Sequence, residues 1–320
     1  MQCDDLVIVL ISGGGSALCS APNEGITAAD MQALTRELLA CGAEIQEMNA
    51  IRKHVDRIKG GGLAQLLAPA TVITLILSDV IGSPLDVIAS GPTVPDQTSF
   101  KDVAGIFDQY QIWETIPQSI SSLVTDGLRG LIADTPKEGA ACFMSVQNVL
   151  IADNEIACRA AQEACQAGGV AARVMTTYLS GEAREVGKVL SSFAHQIRHS
   201  GEPFPPPCCL IFGGETTVTL KGAGKGGRNQ EVVLGAVRSL AGLPGVLLIT
   251  LATDGEDGPT DAAGAWATGE TLERSRVMGL SVDQSLADND AYHFFQGLNQ
   301  IVHTGPSGTN VNDISFLFVF

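Results

Sequence analysis

Ser12, Gly13, Gly14, Gly15 and Ser16 follow directly on the apolar run Leu6 to Ile11. Glycines let a turn take positive φ and bring backbone N–H groups close to a ligand, and a helix starting behind them adds the positive end of its dipole. A strand that ends this way suits an anion, either phosphate or carboxylate. A plain strand-to-helix turn is the competing reading. The turn is not a G-x-G-x-x-G fingerprint, and no G-x-x-x-x-G-K-[ST] occurs in the chain, so a nucleotide site here is of another type.

Five further regions carry chemistry-bearing residues. Arg52, Lys53, His54, Arg57 and Lys59 crowd cationic groups into one short stretch before Gly60-Gly61-Gly62. In a helix Arg52 and Lys59 share a face, as do Lys53 and Arg57, so the stretch is either a solvated basic surface or a steering site for an anionic substrate. Asp79 follows the apolar run Thr71 to Leu77, where open α/β sheets place their ligands, and a helix cap is its alternative role. In "GGETTVTLKGAGKGGRNQE" (213–231), glycines frame Lys221, Lys225 and Arg228 at the start of a helical pattern. A guanidinium there suits a multiply charged phosphate, which Arg grips through paired hydrogen bonds; a glycine-rich hairpin is the plainer reading. Asp254 ends another apolar run, with Glu256, Asp257 and Asp261 behind it, and Thr309, Asn310 and Asn312 form a second polar loop. Oxygen-rich loops of this kind suit magnesium, though each alone is also an ordinary turn-rich surface loop.

The elements that must position these residues follow from periodicity. Leu6 to Ile11, Thr71 to Leu77, Asn148 to Ile151 and Val170 to Met175 read as strands, with helices at Ala28 to Cys41 and Asp153 to Gly168. Met31, Leu34, Leu38 and Leu39 give the first helix its apolar spacing, and Ile156, Ala160, Ala164 and Ala167 the second. "GEPFPPPCC" at 201–209 is too rich in proline for a central strand and marks a boundary between residues 1–200 and 201–320. Beyond it, strands are expected at Cys209 to Phe212, Thr216 to Leu220, Gly245 to Ala252 and Ile314 to Phe320, with a helix over Asn229 to Ala241. The pattern predicts an α/β protein: a Rossmann-like parallel sheet with helices on both faces, then a second, smaller α/β domain with a mixed sheet.

Composition narrows the function. The chain has 320 residues, with 19 Lys and Arg against 35 Asp and Glu, and its net charge of -16 repels nucleic acid and anionic membranes. Aromatic residues are only 5% of the chain, leaving few platforms for stacking bases. No apolar run reaches the roughly 18 to 20 residues of a membrane span. The eight cysteines lack a C-x-x-C pair and read as reduced core residues of a cytoplasmic protein. Association into a homo-oligomer is left open.

Together, "LISGGGSAL", "EMNAIRKHVDRIKGGGLA", "LSDVIGSPLDVIASGPTVPD", "GGETTVTLKGAGKGGRNQE", "TDGEDGPTDAAGA" and "TGPSGTNVND" resemble the glycerate 2-kinase family, whose carboxy-terminal half is the MOFRL domain. The resemblance spans nearly the whole chain in order. It implies ATP-dependent phosphorylation of D-glycerate to 2-phosphoglycerate with a divalent metal, Mg2+, in a cleft between two domains. Some members carry the older label hydroxypyruvate reductase, and a non-catalytic metabolite-binding protein is the other alternative. The family pattern also includes an upstream α/β unit with a Gly-Lys-Ala turn, whose lysine has no match here, so the first domain is expected to be shortened at its amino end.

On this reading Ser12, Gly13, Gly14, Gly15 and Ser16, with Gly226 and Gly227, cradle anions, and Arg228 grips the transferring phosphate. Asp79 or Asp254 holds magnesium or takes the hydroxyl proton, and Arg52 with Lys53 faces the substrate carboxylate. Glu215, Asn229 and Asn310 complete the binding set.

Overall fold

The computed structural model describes residues 1–320 and divides into two compact units, Met1–Ile151 and Ala152–Phe320. The first unit runs β1 (Leu6–Ile11), α1 (Gly15–Leu18), α2 (Ala28–Cys41), α3 (Ile45–Val55), α4 (Gly62–Leu67), β2 (Thr71–Leu77), α5 (Phe100–Tyr110), α6 (Gln118–Leu128) and β3 (Val146–Ala152). Its three strands lie in the order β1-β2-β3, and β1 pairs with β2 in parallel from Leu6 opposite Thr71 to Ile11 opposite Ile76. That register brings the carboxyl ends of both strands to one edge. It is the feature that positions the first candidate site.

α2 starts where local chemistry says it must. Thr27 accepts from the Asp30 N–H while the Asp30 carboxylate accepts from the Thr27 N–H, a reciprocal cap, and Gly42 closes the helix in a left-handed conformation. Its buried side chains, Leu34 and Leu38, join Ile51, Val55, Phe107 and Ile120 in one helical core. Leu39, counted with that stripe from spacing, stays 65% exposed.

The second unit contains α7 (Asn154–Ala167), β4 (Ala171–Leu179), α8 (Ala183–Ser200), β5 (Cys208–Gly214), α9 (Arg228–Leu240), β6 (Val246–Ala252), β7 (Gly264–Thr268), α10 (Thr271–Val277), α11 (Val282–Asp288), α12 (Ala291–Leu298), β8 (Ile301–Val302) and β9 (Asp313–Val319). Its sheet is mixed and six-stranded, β4-β5-β9-β6-β7-β8, with β4 parallel to β5 and β9 antiparallel to both of its neighbours. The main core is formed by α8, α9, α12 and one face of this sheet.

Several expectations shift. The division falls at 151/152, upstream of the boundary expected near 201, because β4 pairs with β5 across the proline-rich segment and α8 packs on α9. Those prolines sit in the connection and cost the sheet no hydrogen bonds. The second sheet is the larger of the two, six strands against three. Thr216 to Leu220 is no strand: only an isolated bridge between Glu182 and Thr217 forms there. The buried face of α7 is offset from the expected stripe, with Cys158, Ala157, Ala161 and Cys165 facing inward and Ile156 44% exposed. All eight cysteines are free, but Cys3 and Cys19 are exposed and do not belong to a core.

Two leucines on α2 test its orientation. Leu34→Ala should lower unfolding free energy by about 2–5 kcal/mol, and Leu39→Ala by less than about 0.5 kcal/mol, read from urea midpoints at constant slope.

Candidate active site

In the first unit, β1 gives way to Ser12 and the glycine turn. Gly14 takes φ 80 and caps α1, which is a single turn of four residues. So short a helix supplies little of the dipole expected behind the turn. Asp79, two residues beyond β2, leans across Gly13 so closely that a Cβ there would lie 2.5 Å from its Oδ2. The Asp79 carboxylate accepts no hydrogen bond from the protein.

The turn is braced from one side by Ser90, whose Oγ lies 3.0 Å from Ser16 Oγ. Ser90 belongs to a run of left-handed residues, Ala89, Ser90 and Gly91 with φ 50, 60 and 64. Each of the two non-glycine residues stores roughly 1–2 kcal/mol of backbone strain. From the other side Lys59 Nζ donates to the Ser16 carbonyl at 2.5 Å.

The basic stretch divides by environment. Arg52 and Lys59 line one cavity of about 480 Å3, together with Ser16, Ser20, Thr35 and Arg36. They meet there although α3 ends at Val55 and Lys59 lies in the loop beyond. Burial lowers the Arg52 pKa; it also lowers that of Lys59, partly offset by Asp56.

Lys53, expected beside Arg52, is turned elsewhere: it is buried and paired with Asp96 at 3.2 Å and Asp86 at 3.5 Å. The His54 nitrogens face the Ala50 carbonyl and Asp134, each at 2.8 Å. For Asp134 burial alone would raise the pKa, but Lys137 and His54 outweigh it and lower it. Lys53 is an internal counter-charge, His54 is a buried hydrogen-bonding partner, and Arg57 is exposed.

In the second unit, Arg228 is the first residue of α9. A cation at the positive end of a helix is opposed by the dipole, so it needs acids to hold it. Nε donates to Asp313 Oδ2 at 2.6 Å, Nη2 to Asp313 Oδ1 at 3.2 Å and Nη1 to Glu215 Oε1 at 2.6 Å. For Arg228, burial pulls the pKa down and these two carboxylates more than restore it. Asp313 opens β9, where Asn154 donates to its carbonyl and to that of Val311. Burial pushes its pKa up to about 6, past the opposing pull of Arg228.

The glycines before α9 already cradle an anion, and it is the protein's own. Asp257 is 1% exposed and accepts from the N–H groups of Asn229 and Gln230 at 3.0 and 2.9 Å, and from both side-chain amides. A Cβ on Gly227 would lie 2.2 Å from its Cγ, so only glycine admits the carboxylate. Burial raises the Asp257 pKa against the pull of those donors. Gly227 therefore seats Asp257, Gly226 lies against Ala291 and Asn289, and Asn229 spends its amide on Asp257. Gly222 to Gly227 does read G-x-G-x-x-G ahead of a helix, but no strand precedes it and Asp257 fills the seat a pyrophosphate would take. The segment before it is shaped by Asn289, which accepts from the Lys221 and Gly222 N–H groups.

Asp254 lies two residues past β6 and accepts the Glu256 N–H, while Asn310 accepts the Asn312 N–H. Both act here as turn formers. Sequence reasoning placed Asp257 only in an oxygen-rich loop suited to magnesium, and passed over Asp313, Asn154 and Asn289. Asp257 and Asp313 stood inside stretches already singled out, but only burial separates them from their exposed neighbours.

Residues 1–125 match the family described as "Domain of unknown function (DUF4147)", and residues 208–313 match the MOFRL family. The chain is 45% identical to the glycerate 2-kinase of Pyrococcus horikoshii over 317 residues, covering 99% of this chain and 71% of that protein. It is 42% identical to the D-glycerate 2-kinase of Thermotoga maritima over 311 residues, covering 97% and 72%. A crystal structure of Thermotoga maritima glycerate kinase superposes with a TM-score of 0.93 at 39% identity, covering 100% of this chain and 74% of that one. The fold and both family matches define a mixed α/β enzyme with a MOFRL half. The chain belongs to the glycerate kinase family.

A carboxyl whose native pKa lies near 6 against an ordinary 3.8 binds more protons folded than unfolded between those values, so stability falls as pH rises through that window. Relative to Asp313→Asn, the wild type should lose about 1 kcal/mol between pH 5 and pH 7, read from paired urea titrations.

Proposed function

We propose that the chain transfers the γ-phosphoryl group of ATP to the 2-hydroxyl of D-glycerate, giving 2-phosphoglycerate and ADP, with Mg2+, in the cytoplasm. The observation that carries the reading is Arg228, held at the start of α9 by Asp313 and the partly exposed Glu215 in a chain whose relatives bear the glycerate kinase name. The eight free cysteines suit a reducing compartment. No helix is long and apolar enough to cross a membrane.

Phosphoryl transfer needs alignment and spread charge more than covalent help. The bond from the γ-phosphorus to the bridging oxygen breaks as the bond to the glycerate 2-oxygen forms, and the hydroxyl proton needs an acceptor. Asp79 supports that role: its carboxylate is unspent and sits at a strand end over Gly13. Arg228 grips the moving phosphoryl oxygens by exchanging Glu215 for them, while Asp313 keeps the guanidinium in place. Arg52 takes the substrate carboxylate.

No group of three or more His, Cys, Asp or Glu side chains could hold a metal alone. Magnesium prefers one or two carboxylates with phosphate oxygens and water, so a single carboxylate just past a strand end, such as Asp79 or Asp254, fits it. Asp254 would hold it where Asp79 takes the hydroxyl proton, or Asp79 where Asp254 does, and its charge would neutralise the phosphate oxygens.

Arg228→Ala should reduce turnover with ATP and glycerate by more than tenfold, a barrier change above roughly 1.4 kcal/mol; a smaller loss removes Arg228 from the mechanism. Mass spectrometry should identify 2-phosphoglycerate. The 3-phospho isomer would overturn the position of transfer, and oxidation of a reduced nicotinamide by hydroxypyruvate without any phosphorylated product would select the reductase.

A further inference from the structure

Three cations of the first unit face one cavity with no carboxylate of their own. Lys59 is 2% exposed, and its single hydrogen bond, to the Ser16 carbonyl, uses one of its three ammonium protons. Arg52 is half-buried and Arg36 exposed, and neither forms a hydrogen bond or ion pair within the protein. All three line the cavity of about 480 Å3, with Ser16, Thr35 and Gln32 beside them.

Asp56 is the nearest acid to Lys59, and its oxygens are already spent. Oδ2 accepts from Ser20 Oγ and the Ala21 N–H, and Oδ1 from the Ile58 N–H. Elsewhere the same chain pairs such cations: the buried Lys53 with Asp96, and the half-buried Arg228 with Asp313. Leaving Lys59 buried without a carboxylate within 4 Å is costly, and more so beside two arginines that repel it, unless an external anion completes the set.

The charge count indicates which anion. A three-carbon hydroxy acid brings one negative charge and needs one cation; three cations call for a ligand with two or more, and the cavity has room for far more than seven heavy atoms. We propose that this cavity is a phosphate subsite, in which Lys59 and Arg36 hold a multiply charged phosphate beside Arg52, and Lys59 also fixes the glycine turn through Ser16. The choice of phosphate over other oxyanions rests on the kinase reading. Two sources share this chemistry: a phosphorylated three-carbon acid and the phosphate chain of a nucleotide.

The test is calorimetric titration of the full chain with inorganic phosphate, ADP, 2-phosphoglycerate and glycerate, for the wild type, Lys59→Met and Arg36→Gln. Circular dichroism checks the fold, and the exposed Arg36 position keeps the test valid if Lys59→Met does not fold. At least tenfold weaker binding of phosphate-bearing ligands in the variants, with glycerate affinity within twofold, is expected. Beside the loss for inorganic phosphate, a loss for ADP but not for 2-phosphoglycerate identifies the nucleotide chain, and the reverse identifies the phosphorylated acid. Unchanged phosphate affinity in the folded variants overturns the proposal, as does an equal loss for glycerate. A wild type that forms no 2-phosphoglycerate but shows the Lys59-dependent binding defeats the kinase reading alone; product formation with unaltered binding in the variants defeats the subsite alone.

Discussion

The second unit is organised around the seating of Asp257 on the amino end of α9. A carboxylate at 1% exposure is tolerable only where backbone N–H groups and a helix dipole replace water, and Asn229, Gln230 and Gly227 supply that replacement. Once Asp257 is fixed, the helix start is fixed, and with it the direction in which Arg228 leaves the first turn. Arg228 then requires carboxylates of its own, and Asp313 and Glu215 meet it. The chain of dependence runs from a buried acid to a poised cation.

The same accounting separates structural from ligand-facing charge in the first unit. Lys53 meets Asp86 and Asp96 and is neutralised internally, and His54 is hydrogen-bonded to Asp134. Arg36, Arg52 and Lys59 are left to face a cavity. In a protein of net charge -16 a cluster of cations without carboxylate partners stands apart, so its position carries information that composition hides.

Backbone strain marks the same region. Ala89 and Ser90 hold left-handed conformations while Ser90 braces Ser16, and Asp79 crosses Gly13. Rigidly held turns of this sort limit the freedom a small anionic substrate would otherwise have to remove on binding. A phosphotransferase gains most from such fixed geometry, since its chemistry is alignment and charge.

Local signals carried much of the fold. The capping pair of Thr27 and Asp30, the stop at Gly42 and the run Leu6–Ile11 gave α2 and β1 their limits, because hydrogen bonds within four residues decide the first and an unbroken β-branched and apolar run ending in glycines the second. The glycine turn at Gly13, Asp79 beyond β2 and Arg228 at a helix start were equally legible as chemistry-bearing residues. The boundary near 201 was not, because a proline-rich connection says nothing about which strands pair across it. By itself, then, the sequence determined the elements and the family. Tertiary structure alone decided which charges are spent: Asp313 meets Arg228 across 85 residues and Asp96 meets Lys53 across 43, and burial at such separations leaves no periodic trace.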